Sequence, residues 1–127
     1  AGQRRILVVD DEERVRLVAS QLLQADGYAV TAVTDGEAAI HLLENDPRAC
    51  DLVLLDMTMP GFDGLEVLRA IRRLRRDLPV LLSSGYGRER VRHVLAEDDA
   101  CAFIQKPYRR RELLGSTGAM LGLRGQG

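Results

Sequence analysis

The sequence predicts an α/β fold, a doubly wound five-stranded parallel sheet with helices on both faces. Five short apolar runs alternate with amphipathic stretches, and this alternation is typical of parallel sheets. The run at residues 52–55 is apolar throughout, as expected of a strand covered on both faces. With 127 residues, 46% of them hydrophobic, the chain is long enough to bury one core, so we expect a single domain over residues 1–127.

The predicted strands are short apolar runs bounded by acids, glycine or proline. They cover residues 6–9, 28–33, 52–55, 80–82 and 102–104. The second run is less uniformly apolar than the others, which indicates a strand at the edge of the sheet.

The amphipathic stretches that follow these runs predict five helices. In the first, apolar residues fall on one helix face; they are Val15, Val18, Ala19, Leu22 and Leu23. Asp63 and Glu66 resemble a capping box at the start of the third helix. The fifth contains Gly115, Gly118 and Gly122, each of which lowers helix stability by about 1 kcal/mol relative to alanine, so we expect it to fray.

Right-handed crossovers leave few ways to arrange five parallel strands. The commonest is the flavodoxin-like order 2-1-3-4-5, which we expect here. In such sheets the functional site lies beyond the carboxyl ends of the strands, at the switch point between strands 1 and 3.

Polar residues follow the carboxyl ends of strands 1, 3, 4 and 5. They are Asp10, Asp11, Asp56, Ser83, Ser84 and Lys106. Clustered carboxylates remain ionised together only when a cation offsets them, and oxygen ligands of this kind suit Mg²⁺. A nearby lysine supplies the second positive charge that an incoming phosphoryl group requires. The pattern therefore predicts a magnesium-dependent phosphoryl-transfer site.

Four motifs resemble the receiver domain of response regulators in two-component signalling. Residues 9–12 read Val-Asp-Asp-Glu, and residues 55–61 read Leu-Asp-Met-Thr-Met-Pro-Gly. Residues 82–86 read Leu-Ser-Ser-Gly-Tyr, and residues 103–108 read Phe-Ile-Gln-Lys-Pro-Tyr. The resemblance covers nearly the whole chain. The run at residues 82–87 is similar to receivers of hybrid sensor histidine kinases.

The resemblance implies a phosphoacceptor domain, rather than an enzyme, that receives a phosphoryl group from a histidine kinase or a histidine phosphotransfer protein. It implies that Asp56 is phosphorylated and that Asp10, Asp11 and Asp56 hold Mg²⁺. The Thr58 backbone carbonyl completes the metal shell in this reading.

The resemblance also implies which residues change conformation when the domain is phosphorylated. Ser84 is similar to the hydroxyl residue that closes on the phosphoryl group, and Phe103 to the aromatic residue that turns inward in response. Lys106 matches the lysine of the site, and its bond to Pro107 is implied to be cis.

Each of these residues has a simpler interpretation when it is considered alone. Asp11 could cap the first helix, and Asp56 could begin a turn before Pro60. Phe103 could be a core residue, and Lys106 could belong to an ordinary turn. Their joint placement at the ends of the correct strands favours the site.

Three other kinds of protein fit parts of the pattern. A dinucleotide-binding enzyme needs a Gly-x-Gly-x-x-Gly loop after the first strand, where this chain has acidic residues. A phosphatase of the haloacid-dehalogenase type needs Asp-x-Asp at the end of strand 1, but Glu12 follows Asp10 by two positions. A receiver-shaped scaffold that is not phosphorylated would be expected to lack a site residue, and none is missing.

Charge and composition indicate which kinds of partner and location to expect. Eighteen basic against nineteen acidic residues give a net charge of −1, which argues against nucleic-acid binding. No apolar run is long enough to span a bilayer, so we expect no membrane contact and a cytoplasmic location.

Cys50 and Cys101 are expected to stay reduced and apart, because strand 4 separates them by about 9–10 Å in the predicted order. The arginines at residues 72–76 are expected to complement the dipole of the third helix.

Overall fold

The computed structural model describes residues 3–59 and 63–122, in which strands and helices alternate. The strands are β1 (Arg5–Val9), β2 (Ala29–Val33), β3 (Leu52–Asp56), β4 (Val80–Ser84) and β5 (Cys101–Gln105). The helices are α1 (Glu13–Ala25), α2 (Gly36–Asn45), α3 (Gly64–Leu74), α4 (Arg92–Glu97) and α5 (Arg110–Met120). A 3-10 helix, Arg88–Val91, directly precedes α4. Pro60 and Gly61 of the second motif lie outside the described residues.

The five strands form one parallel sheet in the order β2-β1-β3-β4-β5, which confirms the predicted fold class. The central strands β3 and β4 are buried at every position. The edge strand β2 is only partly covered, in agreement with its mixed composition.

The sheet separates two apolar cores because successive side chains of each strand point to opposite faces. On one face, residues such as Val53, Leu55 and Leu82 pack against α2, α3 and α4. On the other face, residues such as Leu54 and Leu81 pack against α1 and α5. Burial on both faces explains why β1, β3 and β4 have continuous apolar runs.

The helix ends show where local sequence determines the structure. Gly27 follows α1 with a φ of 98°, a conformation that glycine adopts without steric cost. The Asp35 side chain accepts a hydrogen bond from the Ala38 N–H and caps α2. Asp63 caps α3 by accepting from the Leu65 N–H at 3.0 Å.

The arginines at the end of α3 do more than complement the helix dipole. Arg72 forms a bidentate ion pair with Asp98, at 2.7 Å to Oδ2 and 3.1 Å to Oδ1. Its guanidinium also donates to the carbonyls of Arg75, Leu78 and Ala100. Because these groups surround the start of β4 and the segment between α4 and β5, Arg72 fixes the end of α4 to the sheet.

Cys50 and Cys101 are free thiols on either side of β4. Burial raises the pKa of the Cys50 thiol to about 11 and that of Cys101 to about 12. Thiols with such pKa values react slowly at neutral pH because little thiolate is present.

Within residues 3–59 and 63–122, no helix is long and apolar enough to cross a membrane.

The Arg72 network predicts a large stability difference between two adjacent arginines. We expect Arg72→Met to lower the free energy of unfolding by about 3 kcal/mol, because it leaves Asp98 without its cation in a mostly buried setting. Arg73→Met, at an exposed position, should change it by less than about 0.5 kcal/mol. Urea unfolding of the two variants measures the difference, and equal losses would contradict the anchoring role of Arg72.

Candidate functional site

Three carboxylates meet at the carboxyl edge of the sheet. Asp10 directly follows β1, Asp11 comes next, and Asp56 ends the neighbouring strand β3. One carboxylate oxygen from each of the three lies within 4.8 Å of the others. Asp10 and Asp56 are buried, whereas Asp11 is exposed to solvent. The pairing of β1 with β3 therefore produces a concentrated, partly buried negative charge.

Lys106, which directly follows β5, brings a positive charge to this cluster from two strands away from β3. Its Nζ lies 2.8 Å from Oδ2 of Asp10 and 3.4 Å from Oδ1 of Asp56. The backbone N–H of Lys106 donates to the carbonyl of Ser84, which ties the residue to the end of β4. The bond between Lys106 and Pro107 is cis.

The pKa shifts at the site reflect burial and close charges. Burial raises the pKa of Asp10, and the hydrogen bond from Lys106 opposes that rise only in part. For Lys106, burial alone would lower the pKa, but the hydrogen bond and charge of Asp10 together with Asp56 raise it. Lys106 is therefore a stable cation. Three carboxylates and one ammonium leave a formal charge of −2, which suits a divalent cation.

Asp56 is held by the loop that follows it. Its Oδ1 accepts hydrogen bonds from the backbone N–H and from the hydroxyl of Thr58, each at 3.1 Å. The start of α3 lies against this loop, where a Cβ on Gly64 would come within 2.8 Å of the Met57 Cα. Only glycine permits this approach, so α3 packs directly on the residue after Asp56.

The two serines at the end of β4 differ in position and bonding. Ser83 pairs in register with Asp56, and its hydroxyl donates to the Leu55 carbonyl at 3.5 Å. The Ser84 hydroxyl accepts a hydrogen bond from the Tyr86 N–H at 3.0 Å. Within the described residues, no hydrogen bond joins Ser84 to Asp56 or to the ammonium of Lys106. Its hydroxyl is instead engaged with its own loop.

Phe103 lies in β5, beside Leu82, and packs against the core that lies between the sheet and α2, α3 and α4. It remains partly exposed, and the Arg88 guanidinium lies over its ring at 5.9 Å from the centroid. Phe103, Arg88 and Arg111 line an open groove between α4 and α5, which we call the α4–α5 groove. Phe103 thus borders both the core and the surface.

The structure separates the predicted residues into two groups. Asp10, Asp11, Asp56 and Lys106 meet at one point, with Thr58 bonded to Asp56. Ser84 and Phe103 belong to the neighbouring β4 and β5. The capping alternative for Asp11 is not observed, because Glu12 occupies the position before α1.

Tyr108 is a neighbour of the site that the sequence analysis did not single out. Burial raises its pKa, and the charges of Asp10 and Asp56 raise it further. Its position two residues after Lys106 was the available signal.

Comparison with known proteins identifies the class. Residues 6–117 match the family described as the response regulator receiver domain. The chain belongs to this family, in agreement with its sheet order and the acidic cluster at its carboxyl edge.

Two curated relatives illustrate the range of proteins with such a domain. The chain is 40% identical over 119 residues to the response regulator MprA of Mycolicibacterium vanbaalenii, covering 92% of this chain and 50% of MprA. It is 31% identical over 121 residues to the sensor kinase CckA of Brucella abortus, covering 95% of this chain and 13% of CckA. The chain therefore spans half or less of each of these relatives.

Solved structures agree with these matches. The receiver domain of the hybrid histidine kinase CckA superposes with a TM-score of 0.78 at 34% identity, covering 92% of this chain and 98% of that domain. The chemotaxis protein CheY4 of Vibrio cholerae superposes with a TM-score of 0.85 at 24% identity, covering 94% and 100% of the two chains, which supports the fold alone.

The residues present fit a bound Mg²⁺. Receiver domains generally bind this ion at an acidic pocket, and octahedral coordination at about 2.1 Å places opposite ligand oxygens about 4.2 Å apart. One carboxylate oxygen from each of Asp10, Asp11 and Asp56 lies within 4.8 Å of the other two, so the three are close enough to bind a single ion.

Loss of one exposed carboxylate should weaken the metal site without disturbing the fold. We expect Asp11→Asn to reduce Mg²⁺ affinity by about tenfold or more, measured from amide chemical shifts during a Mg²⁺ titration. Asp35→Asn is the matched control, because asparagine also caps a helix and Asp35 does not belong to the cluster. Equal affinity in the Asp11 variant and the wild type would exclude Asp11 as a ligand.

Proposed function

We propose that this domain accepts a phosphoryl group on Asp56 in a Mg²⁺-dependent reaction and in response changes a partner-binding face. The observation that carries the proposal is the asymmetric environment of the Asp56 carboxylate. Its Oδ1 accepts two hydrogen bonds from Thr58 and lies 3.4 Å from the Lys106 ammonium. Among the described residues, no hydrogen bond reaches Oδ2, which leaves this oxygen available as the nucleophile.

In the proposed reaction, Oδ2 of Asp56 attacks the phosphorus of a phosphohistidine on the donor protein. The new O–P bond forms as the P–N bond breaks, and the imidazole leaves with the electron pair and takes up a proton. In the transition state, negative charge is spread over the phosphoryl oxygens, where the Lys106 ammonium, already 3.4 Å from Oδ1, stabilises it.

The metal shell in this proposal consists of the carboxylates of Asp10, Asp11 and Asp56 and the backbone carbonyl of Thr58. When bound, Mg²⁺ neutralises charge on the carboxylates and on the transferred group. The formal charge of −2 left after pairing with Lys106 supports this assignment.

Ser84 and Phe103 form the proposed switch. A phosphoryl group offers oxygen acceptors that can draw the Ser84 hydroxyl away from the Tyr86 N–H. Movement of that loop frees space beside β5, and the Phe103 ring turns into it. This changes the α4–α5 groove that Phe103 lines. A coupling free energy of about 1–3 kcal/mol is sufficient to shift such an equilibrium.

The proposed donor is a histidine kinase or a histidine phosphotransfer protein, the partners with which receiver domains interact. We include the whole chain, residues 1–127, in the receiver unit and place it in the cytoplasm. The domain acts in this proposal as a phosphoacceptor, with no contact to nucleic acid or membrane.

Phosphorylation should depend on Asp56 and on a divalent cation. We expect acetyl phosphate and Mg²⁺ to add one phosphoryl group to the wild type, detected by intact mass, because the site supplies both nucleophile and charge neutralisation. Asp56→Asn and the wild type in EDTA should remain unlabelled, whereas Asp35→Asn should be labelled normally. Full labelling of Asp56→Asn or of the EDTA sample would refute the proposal.

The switch should depend on the Ser84 hydroxyl. With Mg²⁺ and the phosphoryl mimic beryllofluoride, amide shifts of α4, β5 and α5 should change in the wild type and change less in Ser84→Ala. Mg²⁺ binding should persist in that variant. Ser83→Ala, which removes a buried hydroxyl from the same strand, should respond like the wild type. Full-size changes in Ser84→Ala would mean that the signal takes another route.

A further inference from the structure

Two arginines of the segment between β4 and α4 lie over aromatic rings. Arg88 lies 5.9 Å from the Phe103 centroid, and Arg90 lies 4.5 Å from the Tyr86 centroid. Arg88 and Arg90 belong to the 3-10 helix Arg88–Val91, whose first three residues are exposed and whose last, Val91, is buried. The segment is thus fixed at one end by Val91 and held at the surface by its arginines.

The two contacts have different consequences for the fold. Tyr86 is exposed and lies in the same loop as Arg90, so their contact joins the loop to itself. Phe103 belongs to β5 and packs on the core, so the Arg88 contact joins the loop to the sheet. Only the Arg88 contact involves the ring that moves in the proposed switch.

Among the described residues, the Phe103 ring is the one interaction partner found for the Arg88 guanidinium. The α4–α5 groove also contains two acidic residues, Glu89 and Glu112, and two basic ones, Arg92 and Arg111. Glu89 is paired with Arg92, Glu112 accepts a hydrogen bond from the Arg109 N–H, and neither forms an ion pair with Arg88. A cation near a ring face is attracted by the ring quadrupole, whereas Arg92 and Arg111 contribute only repulsion.

The same loop carries the link to Ser84. Its hydroxyl accepts from the Tyr86 N–H, two residues before Arg88. If the Ser84 hydroxyl turns to a phosphoryl oxygen, this bond is lost and the loop that carries Arg88 can move.

We infer that Arg88 is a positioning residue that holds the Phe103 ring where it lines the α4–α5 groove until the Ser84 loop moves. The inference rests on the proposed function, since it assumes that Phe103 is the moving ring. Cation–π attraction at an exposed site corresponds to about a two- to fivefold change in an equilibrium constant. Loss of the Arg88 contact should therefore raise the inward population by that factor.

The chain contains two phenylalanines, so phenylalanine labelled with ¹³C in the ring gives a simple spectrum in which Phe103 is assigned from the Phe103→Leu variant. The ring resonances are recorded for the wild type, Arg88→Met, Arg88→Lys and Arg90→Met, during titration with beryllofluoride in excess Mg²⁺. Methionine keeps most of the side-chain length but removes the cation, and lysine restores it.

In Arg88→Met, the Phe103 resonances without beryllofluoride should lie closer to their beryllofluoride-bound positions than in the wild type. The apparent dissociation constant for beryllofluoride should fall about two- to fivefold, because the competent state is more populated. Arg88→Lys should return both quantities most of the way to wild-type values. Arg90→Met should leave them within about 1.5-fold of the wild type, a change smaller than the cation–π effect.

Two results would overturn the inference while leaving the proposed function intact. One is a wild type that responds to beryllofluoride together with an Arg88→Met variant that matches it. The other is an equal effect of Arg88→Met and Arg90→Met, which would assign the effect to the loop in general. A wild type whose Phe103 ring does not respond at all would contradict the proposed switch and the role of Arg88 together.

Discussion

The functional edge of this domain depends on the ion pairs that Lys106 makes with Asp10 and Asp56. Two buried carboxylates and a third exposed one lie within 4.8 Å of one another, an arrangement that repulsion and desolvation disfavour. The Lys106 ammonium, 2.8 Å from Asp10 and 3.4 Å from Asp56, reduces that repulsion but does not remove it. The remaining negative charge attracts cations to this edge. The Lys106 ammonium also lies beside Asp56, the proposed phosphoryl acceptor.

Near this edge, the two ends of α4 are held by different interactions: a polar network fixes its carboxyl end, whereas fewer contacts hold the 3-10 helix that precedes its amino end. At the carboxyl end of α4, Arg72 binds Asp98 and three backbone carbonyls in a mostly buried network. At the other end, the first three residues of the 3-10 helix Arg88–Val91 are exposed, and the segment is held by cation–π contacts and by the buried Val91. In the proposed switch, movement should therefore be concentrated near Ser84 and Phe103, while α3 and the carboxyl end of α4 stay in place.

The sequence predicted what depends on local pattern and on general rules for parallel sheets. The apolar runs and the rule for strand order predicted the sheet, and hence that Asp56 and Lys106 would lie at one edge. It did not predict the Arg72–Asp98 pair, because the two residues are 26 positions apart and the arginine run gives no sign of which member is buried. The bond between Ser84 and its own loop was likewise invisible, since it depends on the backbone path of residues 84–86.

The central claim is that Asp56 alone among the clustered aspartates carries the phosphoryl group. Borohydride reduces an aspartyl phosphate to homoserine, so treatment of the phosphorylated domain followed by peptide mapping reports the modified position. We expect homoserine at position 56 in the sample treated with acetyl phosphate and Mg²⁺, and unchanged aspartate at positions 10 and 11. Homoserine at position 10 or 11, or its absence from position 56 in a sample whose intact mass shows phosphorylation, would contradict it.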